Sequence, residues 1–217
     1  MKPLIFDHCS RSGDADSLYL LFSTIAIIGL LINTENMKGF YISCLSFALA
    51  FLTKSWHAGN IAFIIIIYFF INIKKLKINI KKIIIALLFA VIPILIWGIV
   101  RYSNDGLKFF EQMINYDLLK RSSTPIEGHI GGKLYYYYYI LNIKSIIIFF
   151  ALTGFIAMVK KENNNKILVL FISIIVPFII FSFAKTKLYW YIYCIFPSII
   201  ILSAYEIQAL IEIQNKN

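Results

Sequence analysis

The chain has 217 residues, of which 60% are hydrophobic, 17% aromatic and 15% charged, with a formal net charge of +10. A soluble domain is about half apolar and about a quarter charged, so this composition, with a mean hydropathy of +0.78, excludes an ordinary soluble globular domain. The lysines cluster between apolar runs and not on a polar face, which points to lipid headgroups and membrane topology and away from nucleic acid.

Residues 1–16, MKPLIFDHCSRSGDAD, are polar, mixed in charge and without a cleavable signal pattern. About seven apolar runs follow, near 17–33, 39–53, 58–73, 83–100, 134–159, 167–183 and 188–207; about 20 residues cross the hydrocarbon core, and in lipid each run must be helical. The 39–53 run is short, Lys144 interrupts 134–159, and the last run meets Glu206. The expected fold is therefore an all-α integral membrane bundle, a single domain over 1–217. Cys9, Cys44 and Cys194 are scattered and give neither a metal spacing nor a disulfide framework.

Sidedness follows from the basic loops. KKLKINIKK (74–82) has five lysines and no acid, and KKENNNK (160–166) three lysines and one acid. The positive-inside rule puts both in the cytoplasm. Alternation then puts residues 1–16, the turn 53–60, the outer loop 101–133 and residues 184–187 together on the outer face. Tyr135–Tyr139 and Tyr189, Trp190 and Tyr191 fall there too, as an interfacial aromatic belt.

In the outer loop, Leu107, Phe110, Ile114 and Leu118 recur at helical spacing, with Lys108, Glu111, Asn115 and Lys120 off that stripe. Such a helix lies in the headgroup plane. Pro125, Gly128, Gly131 and Gly132 mark a loop that brings backbone close to a ligand, with His129 in it. Asp14 and Asp16, beside Arg11, stand at the start of the first run; they suit a capping role there, and equally a divalent cation or an incoming hydroxyl. Lys54 and His57 occupy a tight turn, and His57 is expected to be incidental.

Four stretches together, RSGDAD before a span, FLTK at the end of another, GH before a tyrosine cluster, and AKTKLYWYIYCIFP, resemble the protein O-mannosyltransferase superfamily. The likeness is to its bacterial branch, glycosyltransferase family 39, near the lipid A aminoarabinose transferases. It implies part of a GT-C transmembrane domain in the bacterial plasma membrane, with its active face outside. It also implies transfer of a sugar, with inversion, from a polyprenyl-phosphate donor to a lipid or protein acceptor of the envelope. On that reading Lys185, Lys187 and Arg121 meet the donor phosphate, and Asp14, Asp16, His129, Arg11 and Tyr191 are candidate acceptor or metal contacts. The family's catalytic carboxylate belongs to a first outer loop, which the resemblance places upstream of Met1, so the chain reads as a fragment or one half of a split enzyme.

Other readings stay open. Lys185 and Lys187 also suit snorkelling anchors of the last span, and Arg101 and Arg121 suit headgroup contacts. A transporter or lipid flippase component is a second function class, and a non-catalytic membrane remnant a third.

Overall fold

The computed structural model describes residues 14–33, 37–74, 79–142, 146–161 and 164–215. Helices account for nearly all of them, and none of the described residues is in a strand. In chain order they are α1 (Asp16–Leu31), α2 (Lys38–Lys54), α3 (Gly59–Asn72), α4 (Ile80–Gln112), α5 (Tyr135–Asn142), α6 (Ile146–Lys161), α7 (Asn164–Phe183) and α8 (Phe196–Gln214). A 3-10 turn, Ser55–Ala58, joins α2 to α3; a π-helical stretch, Met113–Lys120, continues α4; a second 3-10 stretch, Tyr189–Ile195, leads into α8.

The fold is that of an all-α membrane protein, but not one with seven spans. Among the described residues, four helical runs are long and apolar enough to cross a membrane: Lys38–Asn72, Ile80–Ser123, Asn165–Phe183 and Tyr189–Gln214. A fifth is reached if Tyr135–Asn142 and Ile146–Lys160, bent by 106°, count as one broken span. Lys144, expected to interrupt that run, lies outside the described residues. The predicted first span is a shorter apolar helix of 16 residues, and the predicted spans 39–53 and 58–73 belong to one helical run.

That run is not straight. Phe40 and Tyr68 have ring centroids 6.3 Å apart, whereas 28 residues of straight helix would separate them by about 42 Å. The reversal falls at Ser55, whose φ of 49° breaks the helix. The legs of 17 and 14 residues are about 26 and 21 Å long, short of a hydrocarbon core of about 30 Å.

Gly106 bends the next run in the same way, with φ 64° and ψ −158° inside a continuous helix. Beyond it the chain folds back, so Phe109 and Phe110 meet Trp97 at 5.9 and 6.2 Å between centroids. The expected amphipathic stripe begins just after this bend and is divided by the wider turn of the π-helix from Met113. Met113 is buried and Phe110 half-buried, while Leu107 and Ile114 face outward.

Helix contacts use small residues, as expected where lipid tails compete on equal terms with leucine. A Cβ on Gly39 would lie 2.2 Å from the Gly29 carbonyl, and one on Gly154 2.1 Å from the Leu202 carbonyl. Ser43 Oγ donates to the Ala26 carbonyl at 2.7 Å, tying α2 to α1. By contrast α4 exposes Ile84, Leu88, Ile92, Leu95 and Ile99. An apolar groove of about 390 Å³ lies between α2, α3 and α4, lined by Phe40, Phe47, Ile66, Phe69, Ile83 and Leu87 among others.

Gly154→Val should push α6 off α8 and cost about 1–3 kcal/mol of stability, as overpacking does. Gly98→Val, where an added Cβ meets nothing within 4 Å, should leave the thermal midpoint in detergent nearly unchanged. Equal midpoints for the two variants would show that the close approach at Gly154 contributes nothing.

Candidate functional site

The start of α1, the turn after α2, the loop after α4 and the stretch between α7 and α8 meet at one end of the bundle. Asp16 is at the first residue of α1, and its carboxylate accepts a hydrogen bond from the Lys54 ammonium at the last residue of α2. Their side chains are 12% and 18% exposed, so this pair is mostly out of water. The Lys54 Nζ also stands 5.2 Å from the centre of the Tyr191 ring, a cation–π distance. The expected capping of α1 by these acids is not seen: the N-cap is Ala15, without a side-chain hydrogen bond. Asp14 instead offers its carbonyl to the Ser17 hydroxyl.

The Ser55–Ala58 turn places His57 among three rings, stacked on Phe181 at 4.4 Å and edge-on to Tyr191 and Tyr19 at 4.5 and 5.0 Å. The Tyr19 hydroxyl donates to Asn60 Oδ1 at 2.8 Å, which fixes α1 against α3. Trp56 Nε1 donates to the Met113 carbonyl at 3.0 Å and so ties the turn to the π-helical stretch.

The AKTK stretch is bound along its main chain by the preceding loop. Lys185 N–H donates to the Ser122 carbonyl, Thr186 N–H to that of Arg121 and Lys187 N–H to that of His129, at 3.1, 3.2 and 3.1 Å. The Thr186 hydroxyl adds a bond to the Thr124 carbonyl at 3.1 Å. These bonds hold Arg121 in place, and its Nη1 donates to the Tyr191 hydroxyl at 3.4 Å.

Together these elements form an open cavity of about 370 Å³ whose walls include Lys54, His57, Asp117, Arg121, Phe181 and Tyr191. Three buried polar atoms on its lining residues, Ser55 Oγ, His57 Nε2 and Arg121 Nε, have no hydrogen-bond partner among the described residues. Asp117 Oδ1 is 3.4 Å from Arg121 Nε, an ion pair by distance without hydrogen-bond geometry. A buried polar atom left unpaired costs about 1–3 kcal/mol, so Ser55 Oγ and His57 Nε2 on one cavity favour a polar occupant, with Arg121 Nε held only by its ion pair. Arg121, whose approach to Asp117 lacks hydrogen-bond geometry, keeps donors that favour an occupant able to accept them.

Of the residues expected from the sequence, Arg121 and Tyr191 line this cavity, and Asp16 is joined to it through its ion pair with Lys54. Lys185 is exposed and does not line the cavity, although its neighbours Ala184 and Thr186 do. Lys187 is 4% exposed, and its ammonium donates to the Phe181 and Ser182 carbonyls at 2.7 and 2.6 Å. Burial, with the Lys185 charge beside it, lowers the Lys187 pKa from the usual lysine value. His129 is half-buried, 6.4 Å from Trp190 between ring centroids, and does not line the cavity. Arg11 lies outside the described residues. No group of three or more His, Cys, Asp or Glu among the described residues is placed to hold a metal ion, so a divalent ion at Asp14 and Asp16 finds no third such ligand among them. Sequence reasoning gave Lys54 and His57 no role; the cue available was the expectation that their turn shares a face with residues 101–133 and 184–187.

No family model, no characterised protein and no solved structure matches this chain. The fold and the site define an all-α membrane protein with a cationic, aromatic-walled cavity at one end of its helices.

Breaking the mostly buried ion pair should be costly. Lys54→Met or Asp16→Asn alone should destabilise the protein by about 3–5 kcal/mol, because each leaves a buried group unpaired. The double variant should recover part of this, with a coupling of at least about 1 kcal/mol in a double-mutant cycle of unfolding in detergent. Strictly additive single effects would show that the two side chains do not act as a pair.

Proposed function

We propose that this chain is the transmembrane part of a glycosyltransferase that moves a sugar from a polyprenyl phosphate to an envelope acceptor, with inversion, at the outer face of a bacterial plasma membrane. The observation that carries this reading is the cavity that joins Lys54, Arg121 and three buried polar atoms without a hydrogen bond among the described residues, at the end of apolar helices. A lipid phosphate needs this combination: a cationic, hydrogen-bonding pocket for the head beside hydrocarbon for the tail. The resemblance of RSGDAD, FLTK, GH and AKTKLYWYIYCIFP to the O-mannosyltransferase superfamily supports the choice of a sugar donor.

In such a transfer the acceptor hydroxyl attacks the anomeric carbon from the face opposite the phosphate, its proton passing to a general base (a carboxylate in the family it resembles), and the phosphate leaves with the bonding electron pair. Lys54 and Arg121 stabilise the negative charge that develops on the departing phosphate, an effect strengthened where water is scarce. Lys185 reaches the same group from the exposed edge. Asp14, Asp16, Tyr191 and His129 remain the candidates for acceptor or metal contacts. A transporter would be served by ionisable groups midway along its helices. Along α1, α2, α3 and α7 the Asp, Glu, Lys and Arg residues stand only near the ends, and there is no His, whereas α8 carries Glu206 midway.

The test is binding of undecaprenyl phosphate to the protein in nanodiscs. Arg121→Gln and Lys54→Met should each weaken it by about tenfold or more, the loss expected for one charge-assisted hydrogen bond. An affinity unchanged in the double variant would rule out the cavity as the phosphate site.

A further inference from the structure

Lys187 carries its charge inward. Its ammonium donates to the carbonyls of Phe181 and Ser182, in the last turn of α7, where carbonyls have no partner within the helix and the helix dipole favours a cation. Its main-chain N–H donates to His129 in the loop. Its stem fills the space over Gly131, where an added Cβ would stand 2.8 Å from Lys187 Cγ. The Tyr136 ring lies 5.4 Å from Nζ, and the Tyr136 hydroxyl donates to the Leu188 carbonyl at 3.0 Å.

We infer that Lys187 is a positioning residue that latches the loop 121–131 over the cavity, and does not itself contact a ligand there. The side chain fastens residues 184–187 to the end of α7. The main chain of that same stretch holds Arg121, Ser122 and His129 by their carbonyls. Arg121 and Ser122 line the cavity, so the latch reaches it through them. The two lysines of AKTK therefore divide the work: Lys187 is committed to structure, and Lys185, exposed next to it, is left for solvent or ligand. This inference holds whether or not the cavity takes a polyprenyl phosphate.

Ile126 reports on the latch, because it is 7% exposed within the fastened loop. Ile126→Cys, placed in a Cys9→Ser background where Cys44 and Cys194 are buried, is labelled with a polar maleimide in nanodiscs without any ligand. Lys187→Met keeps the stem and removes the ammonium; labelling should accelerate by about tenfold or more as the loop opens locally. Lys187→Arg, which can still donate to the α7 carbonyls, should restore slow labelling, and Lys185→Met should leave it slow. If Lys187→Met does not fold, Gly131→Val displaces the stem with the ammonium intact and should accelerate labelling likewise. A lysine that serves only as a ligand contact would leave the ligand-free rate unchanged. An unchanged rate in Lys187→Met, or in Gly131→Val where that variant stands in for it, overturns the latch, as does a Lys187→Arg rate as fast as that of Lys187→Met.

Discussion

Hydrocarbon offers no hydrogen-bond partner, and this constraint decides both the backbone and the placement of polar side chains. Several hydroxyls along the helices bond to carbonyls or to each other: Thr24 Oγ1 to the Leu20 carbonyl at 2.7 Å, Ser203 Oγ to the Ile147 carbonyl at 2.7 Å, and Ser173 with Ser198 at 2.6 Å. The last two also cross between helices, so the side chains that satisfy themselves also set helix neighbours. Charges have no such option within the apolar layer. Most stand near helix ends, where Lys54 finds Asp16 and Arg121 finds Tyr191, although Glu206 stands midway along α8.

How much of this is legible in the sequence depends on the range of the interaction. Helix formation is local, and the apolar runs show it directly. The number of crossings is not local, because it turns on two reversals. Ser55 takes up a positive φ although nothing in FLTKSWHAG demands it, and the resulting hairpin is held by contacts such as Phe40 with Tyr68. Gly106 is easier to suspect, since glycine adopts such a conformation without a Cβ clash; its consequence, that Phe109 and Phe110 return to Trp97, is visible only in three dimensions. The wider turn of the π-helix from Met113 explains why a stripe drawn from Leu107 through Leu118 does not stay on one face.

Charge counting fared better than span counting. It grouped residues 1–16, 53–60, 101–133 and 184–187, and their described members meet at one end of the bundle. The grouping survives a changed crossing number because each reversal still returns the chain to the same end. Which members face a common cavity was not legible. Asp16 and Lys54 are 38 residues apart, and the ring box of His57 draws on α1, α7 and the stretch before α8, so neither periodicity nor spacing announces it. The KTK element carried the opposite lesson: two lysines of one type, one residue apart, differ in environment because only Lys187 reaches the end of α7.

The cavity's charges also bear on how it could take an anion. Lys54 is already matched by Asp16 in a mostly buried pair, so an incoming anion would have to share that ammonium with a carboxylate. Arg121 is matched less well: Asp117 approaches Nε without hydrogen-bond geometry, and its other observed bond is to a neutral phenol. A guanidinium presents five N–H donors, so Arg121 retains donors for a ligand while keeping Tyr191. Lys54 is thus the better held cation and Arg121 the better placed donor. A pocket with one cation neutralised and one partly free can exist empty without a large self-repulsion, and still gain hydrogen bonds when a phosphate arrives. That asymmetry makes Arg121 the side chain on which anion binding should depend most, with Lys54 setting the field around it.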